Sequence, residues 1–210
     1  MKILVYISAA LCGYFAGGWN PAITLSRAVY HKDIRECGSK NPGFTNFKRT
    51  FGGKLAFVVM ALDLLKAAAV IAVFAPLFSK FVSTYQIGAA YTGAFCMLGH
   101  AFPVLYKFKG GKGFLVYMSM IWFVDWRAGL VATAILTILL LTTHYMSLST
   151  MLAVTSSAVT LIITGADHFI VIIICSVEVL FMIARHKENI KRLLSGTERK
   201  FYFKSKKTEG

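Results

Sequence analysis

The chain alternates between apolar runs and short polar loops. A membrane-spanning helix needs roughly 20 residues, with a range of 17–25. Most of the runs reach this length, but the fourth and fifth do not individually, and Asp125-Trp126-Arg127 separates them. The pattern predicts an all-α polytopic integral membrane protein with about seven transmembrane helices. The runs cover residues 3–25, 55–78, 84–105, 114–124, 128–143, 148–165 and 168–184.

Composition supports the same fold class. Hydrophobic residues make up 57% of the chain and charged residues only 15%, against roughly 25% charged in an ordinary soluble domain. A soluble fold of 210 residues has too small an interior to bury so much apolar surface. No polar stretch is long enough to link two domains. We therefore expect a single transmembrane domain over 1–210, with a basic cytoplasmic tail at 196–210.

The basic residues indicate the orientation of the chain. The net charge is +14, and 19 of the 23 Lys and Arg residues lie in three regions: 26–54, 106–113 and the segment after Met182. Lys and Arg favour cytoplasmic loops. Seven spans place all three regions on one side, whereas six would export the basic tail. We therefore expect the N-terminus outside, the C-terminus in the cytoplasm, and anionic small substrates rather than nucleic acid as partners.

The first basic loop, residues 38–49, is rich in hydrogen-bond donors. Pro42-Gly43 favours a turn, and glycines let backbone N–H groups approach an anion closely. Arg49 adds a guanidinium whose two-pronged geometry suits phosphate. The alternative is a connecting turn with ordinary cytoplasmic charges. The neutral donors of the loop are Ser39, Asn41, Thr45 and Asn46.

The second basic loop carries Gly110-Gly111-Lys112-Gly113 after His100. This run resembles half a P-loop, but Phe114 stands near the position where a P-loop has Ser or Thr. An NTPase is therefore disfavoured. A helix beginning at Phe114 is still expected to hold a phosphate at its N-terminus. His100 is interpreted either as a hydrogen-bonded residue at a helix end or as a base.

The third polar segment, residues 185–198, follows the last apolar run. Read as a helix, it places His186, Asn189 and Ile190 on one face, although an amphipathic interfacial helix explains it as well. Within the second run, Asp63 and Lys66 are three apart, and charges at this depth face a polar cavity or each other. In the loop at 145–149, Ser147 either faces the site or caps a helix.

Together these segments resemble the bacterial acyl-phosphate:glycerol-3-phosphate acyltransferase family, the PlsY type. The resemblance covers nearly the whole chain. It is carried by the first-loop pattern G-S-x-N-P-G-x-T-N…R, the second-loop pattern G-H-x-F-P…F-K-G-G-K-G, and the final pattern R-H-x-E-N-I-x-R-L-L-x-G-T-E. Asp63-x-x-Lys66 and the stretch at 145–149 add to it.

The resemblance implies transfer of a fatty acyl group from acyl phosphate to the 1-hydroxyl of glycerol 3-phosphate, giving lysophosphatidic acid and phosphate. It implies no cofactor, no metal, and neither coenzyme A as donor nor nucleic acid as partner. Membrane lipid and an enzyme that produces acyl phosphate are expected partners, and a bacterial plasma membrane is the expected location. Motif by motif, the implied catalytic residues are Ser39, Lys112, His186 and Asn189, and the implied substrate-binding residues are Asn41, Gly43, Thr45, Asn46, Arg49, His100, Gly110, Gly111 and Gly113.

Three positions depart from the family pattern, namely Lys40, Phe44 and Phe114. Phe44 stands where a small residue is usual, so its bulk is expected to narrow the phosphate loop. A divergent acyltransferase with another phosphorylated acceptor is one alternative. A small membrane transporter is the other. Such a protein would require several ionisable groups near the bilayer midplane, and Asp63 and Lys66 are the pair considered for that role.

Overall fold

Helices account for nearly all of the structure. The computed structural model describes residues 1–165 and 168–203, so the predicted basic tail is described only as far as Phe203 and residues 204–210 lie outside the described residues. Helices occupy all seven apolar runs, which confirms the all-α prediction, but the first run, 3–25, is broken at Trp19 and Asn20 into two helices rather than forming one. The helices are α1 (Lys2–Gly18), α2 (Pro21–Tyr30), α3 (Phe44–Phe51), α4 (Leu55–Phe81), α5 (Tyr85–Ala101), α6 (Phe114–Val124), α7 (Trp126–Thr143), α8 (Met146–Ile163), α9 (Phe169–Ala184) and α10 (Lys187–Leu194).

Helix length bears on the number of membrane crossings. Five helical stretches of the described chain are long and apolar enough to cross a bilayer, and α9 with α10, bent by 59°, makes a sixth. Helix α6 has 11 residues, or about 16 Å at 1.5 Å per residue, against about 30 Å of hydrocarbon. Helix α7 reaches 18 residues because Asp125 caps it. The predicted seven crossings and the orientation of the termini remain predictions.

The break between α1 and α2 follows from local sequence. The Asn20 side chain accepts a hydrogen bond from the Ile23 N–H at 3.0 Å and caps α2, and Pro21 occupies the first helical position, where its missing N–H is tolerated. The Asn20 amide also donates to the Pro42 carbonyl at 3.0 Å. This one side chain therefore both starts α2 and ties it to the first basic loop.

Helices α1 and α5 are packed so closely that glycine is required at their contact. A Cβ on Gly17 would lie 1.9 Å from the Cys96 carbonyl oxygen, and one on Gly99 would lie 1.9 Å from the Tyr14 carbonyl oxygen. In membranes, where apolar surface is not driven together by water, such small residues allow close van der Waals packing. Large side chains such as Leu65, which is 61% exposed, face outward as expected for contact with lipid.

The polar segments that follow α2, α5 and α10 lie at one end of the bundle. Thr24 Oγ1 lies 3.1 Å from the Tyr106 hydroxyl, and the Phe201 N–H donates to the His144 carbonyl at 2.7 Å. These contacts join the loop after α5 to α2, and the segment after α10 to the turn between α7 and α8. We call this region the loop end of the bundle.

Candidate active site

The first basic loop is shaped by Asn46 of α3. Its Oδ1 accepts from the Ser39 N–H at 2.9 Å, and its Nδ2 donates to the carbonyls of Cys37 at 3.0 Å and Ile34 at 3.3 Å. The residue is 3% exposed, and both ends of its amide are occupied. Asn46 therefore holds the loop in shape, and its expected contact with substrate stays a prediction.

Two residues of this loop have left-handed backbone geometry. Gly38 has φ +56°, and a Cβ there would lie 2.4 Å from Asn46 Oδ1. Lys40 has φ +60°, a region that disfavours L-residues by about 1–2 kcal/mol. A glycine would adopt this geometry without that cost. Phe44 points away from the loop, because its ring packs 5.7 Å from Phe57 and 5.8 Å from Phe201, so the expectation that it narrows the loop is wrong.

Several polar side chains of the loop have no partner in the described chain. Those of Ser39, Asn41 and Thr45 make no hydrogen bond within residues 1–165 and 168–203. Ser39 is exposed, and Asn41 and Thr45 are half-buried. Gly43 precedes α3 in extended geometry, with φ −147°. The loop therefore presents three neutral polar side chains at the start of α3.

The second basic loop folds back on the end of α5. The Gly110 N–H donates to the Ala101 carbonyl at 3.2 Å and the Gly111 N–H to the His100 carbonyl at 3.0 Å. A Cβ on Gly110 would lie 2.0 Å from the His100 carbonyl oxygen, and one on Gly111 would lie 2.3 Å from His100 Nε2. Gly113, at φ +90°, leads into α6, which begins at Phe114 as predicted.

Arg185, at the end of α9, braces the glycine loop from outside. Its Nε donates to the Gly111 carbonyl at 2.9 Å and its Nη2 to the Gly110 carbonyl at 3.3 Å, while its guanidinium lies 5.1 Å from the centre of the Phe102 ring. Desolvation lowers the pKa of Arg185. We did not predict this role, although Arg185 opens the third motif of the sequence.

Lys112 joins the second loop to the third. Its Nζ donates to Asn189 Oδ1, and Asn189 Nδ2 donates to Glu198 Oε1 at 2.7 Å. The same carboxylate accepts from Ser147 Oγ at 2.8 Å and from Arg192 Nε at 2.6 Å. Glu198 is thus the hub that orients Asn189 toward Lys112. It belongs to the third motif, but its central position was not predicted.

Charges in this cluster have shifted pKa values. Burial lowers the pKa of Lys112 to about 8, helped by the nearby cations Arg192, Arg185 and Arg49 and opposed by Glu198. Burial would raise the pKa of Glu198, but its hydrogen bonds from Asn189, Ser147 and Arg192 outweigh this and lower it. The acid is therefore ionised, and Lys112 is near the midpoint of its titration just above neutral pH.

His186 is a neutral imidazole, and one of its ring nitrogens makes no hydrogen bond to the part of the chain that the structure describes. Burial and the charge of Lys112 lower its pKa to about 4, and the residue is 4% exposed. Its Nδ1 lies 2.8 Å from the Met182 carbonyl oxygen. Because a carbonyl only accepts, Nδ1 carries the proton and Nε2 carries a lone pair. His186 directly precedes α10 rather than lying within it as the sequence predicted, and it is near enough to Lys112 to be affected by its charge.

Arg49 is held by the segment that follows α10. Its Nη2 donates to the carbonyls of Arg199 at 2.8 Å and Lys200 at 3.4 Å, and its own pKa is lowered mainly by desolvation. A cleft of about 720 Å³ lies between this segment and the end of α3. Arg49 is near enough for its charge to act on Lys112, so all three predicted motifs converge at the loop end.

Comparisons with known proteins fit this geometry. A helical membrane bundle with a cationic polar site at one end defines the class of protein. Residues 7–196 match the family described as glycerol-3-phosphate acyltransferase, and the chain belongs to that family. The predicted family is thereby confirmed.

Similar proteins cover almost the whole chain. The glycerol-3-phosphate acyltransferase of Brucella anthropi is 35% identical over 197 residues, covering 94% of each chain. That of Rhodopseudomonas palustris strain BisB5 is 37% identical, covering 92% of this chain and 95% of its own. The crystal structure of the integral membrane protein PlsY in its glycerol 3-phosphate form superposes with a TM-score of 0.85 at 28% identity, covering 94% of this chain and 96% of its own. Its lysophosphatidic acid form gives 0.81.

Proposed function

We propose that this membrane acyltransferase moves a fatty acyl group from acyl phosphate to the 1-hydroxyl of glycerol 3-phosphate, releasing lysophosphatidic acid and phosphate. The observation that carries the proposal is the contact of Lys112 with Asn189, which unites two motifs inside a chain matched to the family over residues 7–196. The glycerol 3-phosphate and lysophosphatidic acid forms of the related structure support the acceptor and the product.

The reaction forms one bond and breaks another. The 1-hydroxyl oxygen attacks the acyl carbonyl carbon, and the bond from that carbon to the phosphate oxygen breaks. Because acyl phosphate is a mixed anhydride, its phosphate is already a good leaving group, and positioning supplies much of the rate, up to about 7–11 kcal/mol. Two anionic substrates repel each other, so cations must gather around them. Lys112 and Arg49 serve this purpose, and Ser39 donates to the developing oxyanion.

His186 receives the proton of the attacking hydroxyl. In the free enzyme its pKa of about 4 makes it a weak base, since general bases work best with a pKa near the operating pH. Bound phosphates oppose the effect of the Lys112 charge and raise the affinity of Nε2 for a proton while the substrates are present. The proton then passes to the leaving phosphate, whose second pKa is about 6.

Activity assays with two donors test the reaction. The purified chain is supplied with glycerol 3-phosphate and either a long-chain acyl phosphate or the matching acyl-CoA. We expect lysophosphatidic acid from acyl phosphate alone. Lys112→Ala should weaken glycerol 3-phosphate use roughly ten- to a hundredfold, since charge-assisted contacts contribute about 1.5–3 kcal/mol. Lys109→Ala, which removes an exposed cation from the same loop, is the matched control. Transfer from acyl-CoA alone, or wild-type kinetics in Lys112→Ala, would contradict the proposal.

The proposal also places the chain in the bacterial plasma membrane with seven crossings, α6 being a short one, and with the loop end in the cytoplasm. The charge distribution supports this orientation. In a Cys12→Ser background, which removes the exposed thiol of α1, a cysteine replacing Lys206 should react with a membrane-impermeant reagent only after permeabilisation. A cysteine replacing Ser83, between α4 and α5, should react in intact cells. The reverse pattern rules out this topology.

A further inference from the structure

Lys66 occupies a buried junction of three helices. Its side chain is 4% exposed and its Nζ lies 2.8 Å from Asp63 Oδ1. The same Nζ donates to the carbonyls of Gly17 at 3.0 Å and Trp19 at 2.8 Å, and lies 3.0 Å from His100 Nδ1. One ammonium group therefore connects the end of α1, the middle of α4 and the end of α5.

The break after α1 explains the two carbonyl contacts. In an uninterrupted helix the Gly17 carbonyl would accept from the N–H of the residue four positions on, but that residue is Pro21, which has no N–H. The Trp19 backbone is already extended. Both carbonyls thus need an outside donor, because unpaired backbone groups in a membrane interior are strongly unfavourable. Lys66 is that donor.

The surroundings of Lys66 also determine which nitrogen of His100 carries the proton. The 3.0 Å contact joins Nδ1 to an ammonium, which only donates. Asp63 Oδ1 pairs with the ammonium by charge but accepts no hydrogen bond within the described residues, so the third N–H of the ammonium is left for Nδ1, which presents its lone pair. Asp63 Oδ1, the other charged neighbour, is 3.6 Å from Nδ1, which is beyond ordinary hydrogen-bond distance. The neutral imidazole must then hold its proton on Nε2.

His100 Nε2 is directed at the glycine loop. A Cβ on Gly111 would lie 2.3 Å from Nε2, so only a glycine allows the ring this position. The Gly110 and Gly111 carbonyls already accept from Arg185, and Nε2 makes no hydrogen bond to any residue of 1–165 and 168–203. This N–H donor is therefore left for a ligand of this loop.

We propose that Lys66 is a positioning residue for acyl transfer, which fixes His100 in the Nε2-protonated form so that this N–H donates to a substrate phosphate oxygen held by the glycine loop. The role of the phosphate rests on the proposed function, whereas the protonation site of His100 does not.

The protonation site is measured by nuclear magnetic resonance on protein labelled with ¹⁵N-histidine, with His100 assigned from the spectrum of His100→Gln. In the wild type we expect His100 to carry its proton on Nε2, and inorganic phosphate or glycerol 3-phosphate to shift the Nε2 signal. Lys66→Met should move the proton toward Nδ1, which then faces only acceptors, and Lys66→Arg should restore the wild-type form. An unchanged proton position in Lys66→Met, or no response of Nε2 to either phosphate, overturns the proposal. The magnetic resonance measurements need no turnover, so they test the proton position of His100 even if the chain transfers no acyl group.

Kinetics separate positioning from general structural damage. Lys66→Met should raise the KM for glycerol 3-phosphate roughly tenfold with little change in kcat. In His100→Gln, the side-chain amide supplies an N–H donor near the position of Nε2, and this donor does not depend on the residue at position 66. In a His100→Gln background, Lys66→Met should therefore change KM by less than about twofold, whereas a purely structural effect would give the same factor in both backgrounds. If Lys66→Met raises the KM by the same factor in the wild-type and the His100→Gln backgrounds, the proposal is refuted. If Lys66→Met fails to fold because Asp63 is left buried and unpaired, the proton position of His100 and the KM are both measured in the double variant Asp63→Leu/Lys66→Met instead.

Discussion

The titration of Lys112 predicts how substrate use varies with pH. With a pKa of about 8, the amine is about 90% protonated at pH 7 and about 10% protonated at pH 9. Glycerol 3-phosphate remains a dianion over this range, since the second phosphate pKa is about 6. If only the ammonium form holds the substrate phosphate, the KM for glycerol 3-phosphate should rise about fourfold from pH 7 to pH 8.5 and about tenfold by pH 9.

The assay is a glycerol 3-phosphate saturation series at fixed acyl phosphate and pH 7, 8 and 9, with spontaneous hydrolysis of the donor subtracted. Lys112→Arg is the matched variant, because a guanidinium stays charged at every one of these pH values. Its KM should be higher than that of the wild type at pH 7, because the geometry is altered, but flat with pH. A flat wild-type profile, or an equal slope in Lys112→Arg, would refute the assignment of this titration to Lys112.

Three further predictions concern stability. The pKa of His186 is lowered to about 4 in the folded chain, so between pH 6.5 and pH 4 its imidazole gains a proton only when the chain unfolds. The free energy of unfolding should therefore fall by up to about 3 kcal/mol as the pH is lowered from 6.5 to 4. In thermal unfolding curves recorded across this range, His186→Asn should lose less stability than the wild type by this amount. Glu198→Gln leaves one of the three donors facing an amide N–H₂, so the free energy of unfolding should fall by about 2–4 kcal/mol. The stabilisation by the Glu198 carboxylate is present above the pKa of this carboxyl in the unfolded chain, and it is lost as the pH falls through the lower pKa of the folded state. The variant should therefore differ least from the wild type in acid. Gly99→Ala should impair folding, because its Cβ would meet the Tyr14 carbonyl at 1.9 Å, whereas Gly18→Ala, with its nearest neighbour at 3.8 Å, should be tolerated.

The three motifs and their common location were predictable. Apolar runs gave the helix positions, and basic loops at every second connection indicated that 38–49, 106–113 and 185–198 meet at one end. The pairing of Asp63 with Lys66 was among the alternatives because the residues are three apart on a helix. The roles of individual polar groups were harder to predict. Asn46 was expected to bind substrate, and the pattern gave no sign that its amide also makes hydrogen bonds with the backbone of Ser39, Cys37 and Ile34.

By itself, the sequence determined the class of protein: a helical bundle in lipid, with cationic, glycine-rich loops suited to phosphate. These properties follow from local hydropathy, charge and turn chemistry, which depend only on residues that are close together in the sequence. Only the tertiary structure decided that Glu198 orients Asn189 and that Lys66 reaches the carbonyls left unpaired by Pro21. Lys112 and Asn189 are 77 positions apart, and Lys66 and Gly17 are 49 apart. Contacts at such separations depend on how close the helices approach and which side chains the packing leaves facing one another, and no local pattern encodes either.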